Sequence, residues 1–76
     1  MTETTETLLT TEDKHAILNQ HIKSLEYNIY GLELDLMVEN AGTPDPDRVT
    51  SINAQISTAN AKRDVLVAER AEVLGL

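Results

Sequence analysis

Six apolar residues, Leu18, Ile22, Leu25, Ile29, Leu32 and Leu36, recur along the first half of the chain at spacings of four, three, four, three and four. This is the a/d pattern of a coiled-coil seam, which keeps one stripe of a slightly under-wound helix against a partner helix. A strand places successive side chains on opposite faces and cannot hold such a ladder on one side. The ladder therefore commits this stretch to a helix that needs company, and it says little about chemistry.

Local signals bound the elements. Residues 1–9 (MTETTETLL) lack periodicity and read as a flexible N-terminal arm, with Leu8 and Leu9 free to fold back onto the end of the helices. Thr10 is the natural N-cap: its hydroxyl can accept from the exposed amides of the first turn, and Glu12 and Asp13 follow where the helix dipole favours anions. The helix is expected over about 11–41, where Asn40, Gly42 and Pro44 stop it, with Gly42 in the left-handed conformation at its C-terminus. After a loop over 42–45, Asp45 precedes Pro46 and is pushed out of helical dihedrals, as an N-cap requires, while Pro46 suits the first helical position. The second helix runs over about 46–74, with Gly75 as its C-cap. Two helices of nearly equal length, each roughly 45 Å at 1.5 Å per residue, joined by a short loop predict an antiparallel hairpin.

In heptad register, His15, Ile22, Ile29 and Leu36 take position a, and Thr11, Leu18, Leu25, Leu32 and Glu39 take position d. On helix 2 the matching stripe is Val49, Ile52, Ile56 and Ala59, continued by Arg63, Leu66, Arg70 and Val73. Two arginines thus enter a seam otherwise built from apolar side chains. Their stems can cover the seam while the guanidinium groups reach polar residues of helix 1, with Glu26 expected for Arg63 and Asn19 or Glu12 for Arg70.

Helix 1 is not polar opposite that seam. Tyr27, Tyr30, Leu34 and Met37 repeat the three-four spacing at positions f and b, and Val38 lies alongside. A two-helix hairpin cannot cover both faces, and an apolar patch left in water marks an interface. These five residues are the candidate oligomer or partner surface. Gly31, costly by about 1 kcal/mol inside a helix, is expected to allow close helix approach, as is the row Ala54, Ala61, Val65 and Ala68 on helix 2. The expected fold is all-α: an antiparallel hairpin with a coiled-coil-like seam, dimerising into a four-helix bundle as a homodimer or higher even oligomer. An obligate foreign protein covering the same face is the alternative.

Chemistry is hard to find. The 76 residues hold no Cys, Trp or Phe, which removes thiolate metal sites and leaves only two tyrosines as stacking platforms. His15 and His21 point to different sides of the helix, and no His/Asp/Glu set has ligand spacing, so no metal and no cofactor are expected. Asp45-Pro46-Asp47 lacks the glycine and terminal glutamate of a calcium loop. Glu33, Asp35, Glu39, Asp45 and Asp47 near the hairpin tip read as capping and solubilising charge. Serines stand without a base, and a bare hairpin offers no water-excluding pocket. The expectation is a protein that is not an enzyme.

A net charge of −7 repels phosphate backbones and anionic lipid, so direct nucleic-acid binding is disfavoured. No run of about 18 apolar residues exists to span a membrane, and no basic-then-apolar leader precedes Thr10. The expected location is the cytoplasm of a cell or of an infected host cell. The reading is a small adaptor, scaffold or chaperone-like assembly protein working through self-association. Its alternative is an acidic inhibitor that mimics nucleic acid and blocks a basic protein surface, for which Glu26, Glu33 and Asn40 supply one short row. A third reading is a small RNA-binding bundle, which in shape alone resembles the plasmid copy-number regulator Rop and against which the negative charge argues; small acidic two-helix chains are also similar in kind to accessory proteins of bacteriophages. Neither likeness rests on a shared motif.

Overall fold

The computed structural model describes residues 8–75. Two helices make up the described chain, α1 (Thr11–Ala41) and α2 (Pro46–Leu74), and they pack against each other along their length. Two cross-helix pairs set the direction. Near the loop, Arg48 meets Glu39; at the open end, Arg70 meets Asn19. Residue numbers rise along one helix as they fall along the other, so the hairpin is antiparallel.

The ends of the helices follow from short-range chemistry. Thr10 is extended and its Oγ1 accepts from the Asp13 amide at 3.0 Å, while Asp13 Oδ2 accepts from the Thr10 amide at 3.0 Å. This reciprocal box satisfies two groups at the helix start that have no intrahelical partner. Asp45 caps α2, its Oδ1 accepting from the Asp47 amide at 3.0 Å, with Pro46 in the first turn. Gly75 ends α2 at φ +74, and its amide reaches back to the carbonyls of Ala71 and Glu72. That left-handed cap is the conformation glycine adopts without a Cβ penalty.

Gly42 departs from expectation. It has φ −103 and ψ −137, outside the left-handed region. The chain here must turn within a few residues toward Asp45, and the turn is held by a side chain: Glu39 Oε2 accepts from the Asp45 amide at 2.9 Å while its Oε1 meets Arg48 Nε at 3.0 Å. The left-handed cap is therefore not needed at this end.

The seam lies where the two ladders face each other, and it is thin. Ile22, Ile29, Ile52 and Ala59 are buried; Leu18, Leu25, Leu32, Leu36, Val49, Ile56, Leu66 and Val73 are half-buried. Two helices cover each other along one line of contact, and the residues flanking that line stay open to water. Arg63 and Arg70 sit in the same line and are half-buried.

The expected arm over residues 1–9 falls largely outside the described residues. Of its last two positions, Leu8 is 94% exposed, so it does not fold back. Leu9 is half covered and lines a shallow cleft at the open end with Ile17, Leu18 and Val73.

Candidate interaction surface

An α-helix places positions three and four apart on one side, and Tyr27, Tyr30, Leu34 and Met37 follow that rule on the side of α1 turned away from α2. The structure leaves them in solvent: Tyr27 69%, Tyr30 61%, Leu34 39%, Met37 65% and Val38 74% exposed. Leu34, at the centre of the arc, is the most sheltered. The apolar area involved is of order 500 Å², at the upper end of what a soluble monomer exposes in one patch. Lys23 borders it, with Nζ 5.9 Å from the Tyr27 ring centroid, and Lys23, Glu26, Tyr27 and Tyr30 line a shallow groove along this edge.

No charged side chain interrupts the arc between Tyr27 and Val38. Glu26 and Glu33 lie beside it and are exposed. Gly31 lies within it, and a Cβ built there meets nothing within 4 Å. The expectation that Gly31 allows close approach thus fails for the hairpin itself, because α2 packs on the other side of α1.

A second apolar strip runs along one edge of the hairpin, where His21, Ser24, Leu25, Lys62, Val65 and Leu66 line an open groove. Of the small-residue row on α2, Ala54, Ala61, Val65 and Ala68 are all exposed, so that row is not packed against α1 either. Spacing alone does not reveal Ile17, which is also partly exposed and has only polar residues three or four positions away; Val67, likewise partly exposed, begins a short row with Ala71 and Leu74.

The two seam arginines have different partners. Arg70 Nη1 donates to Asn19 Oδ1 at 2.7 Å, one of the two acceptors expected for it. Arg63 does not reach Glu26. Its Nη2 lies 3.4 Å from Asp64 Oδ1, the next residue on its own helix. The half-open seam lets this guanidinium swing out to an exposed carboxylate, a geometry that saves the burial of a charge. His15 Nε2 lies 3.4 Å from Asn19 Nδ2, so the polar end of the seam is a short chain of His15, Asn19 and Arg70.

Among the described residues no group of three or more His, Asp or Glu side chains is placed to hold a metal ion. No helix among them is long and apolar enough to cross a membrane. No protein-family model, curated protein or solved structure matches this chain. The interaction surface is therefore read from its own residues.

Proposed function

We propose that this chain is a small non-enzymatic interaction protein, acting by self-association and protein–protein contact as an adaptor, scaffold or chaperone-like assembly factor. The observation that carries this reading is the uncharged apolar arc of Tyr27, Tyr30, Leu34, Met37 and Val38, left in water among the described residues, whose two helices meet on the other side of α1. Burying such area at about 25 cal/mol per Å² is a large driving force for a domain whose core, among the described residues, is four buried side chains and a half-open seam. Two hairpins meeting on this face set the two α1 helices side by side with each α2 on the outside, a row of four helices in place of a closed bundle, and two-fold pairing is the commonest closed assembly.

The double change Tyr30→Glu, Leu34→Glu tests the reading. It leaves the α1–α2 seam intact and puts like charges where two chains meet. By sedimentation at micromolar concentration, the unaltered chain is expected to be a dimer or higher even oligomer and the variant a helical monomer. An unaltered chain that sediments as a monomer and binds no apolar dye rejects the proposal.

A further inference from the structure

The outer arc of α1 has a pattern that selects its occupant. Tyr27 and Leu34 stand at position f, Tyr30 and Met37 at position b, so the arc is a second short seam with spacings of three, four and three. Laid antiparallel on a copy of itself, this seam pairs Tyr27 with Met37 and Tyr30 with Leu34, and the same pairs recur on the other side of a two-fold axis. Each aromatic ring then meets an aliphatic side chain. No other f-to-b register uses all four residues.

Three further observations fit this arrangement. The axis passes at the level of Leu32, beside Gly31, where the hairpin itself puts nothing within 4 Å of an added Cβ and where a side chain would hold two close helices apart. A helix-interior glycine with no role inside its own chain gains one here. Lys23 of one copy falls against Ala41 of the other, at the C-terminal end of α1, which has no basic residue in its last turn; a cation is favourable at that end of the helix dipole. Finally, an arc of order 500 Å² on each copy reaches about 1,000 Å² in total, the size at which a specific interface becomes plausible.

Resting on the self-association reading above, we infer that the outer face of α1 is a docking surface for a second copy of this chain, packed antiparallel about a two-fold axis beside Gly31.

Because the chain has no cysteine, single cysteines report this geometry cleanly. Glu33→Cys lies beside the axis, Glu12→Cys at the same heptad position but far from it along α1, and Thr58→Cys on the exposed side of α2; all three positions are exposed. With a short bis-maleimide, Glu33→Cys is expected to give a covalent dimer, and Glu12→Cys and Thr58→Cys are not. Gly31→Gln, which favours helix and whose Cβ meets nothing within 4 Å, is expected to keep the helical circular dichroism and weaken dimerisation at least tenfold. Cross-linking at both Glu33→Cys and Glu12→Cys means parallel pairing and overturns the inference. Cross-linking at Thr58→Cys in place of Glu33→Cys moves the interface to α2 and overturns it too, as does an unchanged dimer affinity for Gly31→Gln; in these cases self-association stands. A monomeric unaltered chain removes the inference, and one that also binds no apolar dye removes the reading beneath it.

Discussion

Arg70 donates from Nη1 to Asn19 Oδ1 at 2.7 Å, joining residues 51 positions apart at the open end of the hairpin. Both side chains are half-buried. An arginine at a seam position is tolerated here because its stem covers apolar neighbours while its charge finds an oriented acceptor.

Removing that acceptor leaves a half-buried guanidinium group without it. Asn19→Ala is expected to destabilise the chain by about 1–2 kcal/mol, read as a lower urea midpoint at fixed protein concentration. Replacing both partners, Asn19→Leu with Arg70→Met, is expected to recover most of that loss, since the polar pair is exchanged for an apolar one. Equal midpoints for Asn19→Ala and the unaltered chain would show that the contact contributes nothing.

Glu39 holds the loop through two different bonds, and they can be separated. Arg48 is mostly exposed, its side chain at 61% against 18% for Glu39, so the ion pair itself is worth at most about 1 kcal/mol. Glu39→Gln keeps an oxygen for the Asp45 amide and is expected to cost less than about 1 kcal/mol; Glu39→Ala loses both bonds and is expected to cost about 1–2 kcal/mol. Amide hydrogen exchange at Asp45 checks the assignment. It should quicken in the alanine variant and stay near the original rate in the glutamine variant.

Ile29 is one of the four buried residues of the seam, 6% exposed. Ile29→Asp places an unpaired carboxylate there at a cost of several kcal/mol, comparable with the whole stability of a small domain. Most helical circular dichroism is expected to be lost at 25 °C. A native melting curve in this variant would mean that the seam is not what holds the helices together.

Salt separates self-association from capture of a basic partner. Each copy carries −7, so two copies repel, and raising ionic strength from 0.01 M to 1 M shortens the screening length from about 30 Å to about 3 Å. Dimerisation through the α1 arc is expected to strengthen with added salt, as read by sedimentation. An acidic mimic binding a basic surface would weaken over the same range, and weakening of the self-complex would count against an apolar interface.

The helices and their facing stripes were legible in the sequence because the forces that set them are short-ranged or periodic. Thr10, Asp45, Pro46 and Gly75 each act on the amides or carbonyls of a neighbouring turn, and the ladder from Leu18 to Leu36 states which side of α1 must be covered. The outer arc was legible for the same reason: periodicity assigns a face whether or not anything covers it.

Only the packed hairpin decided how these features are used. Gly42 was expected in the left-handed conformation, yet its backbone follows a loop tied down by Glu39, and that tie depends on where α2 brings Arg48. Arg63 and Arg70 occupy equivalent positions in the heptad, and local sequence gives each several acceptors within reach. Their different choices, Asp64 for one and Asn19 for the other, come from the helix register and from how far the seam opens at each level. Gly31 carries the same lesson. Sequence says that a glycine in a helix is costly, but which side it faces and what lies there belong to tertiary structure, since a missing side chain has meaning only relative to the atoms around it.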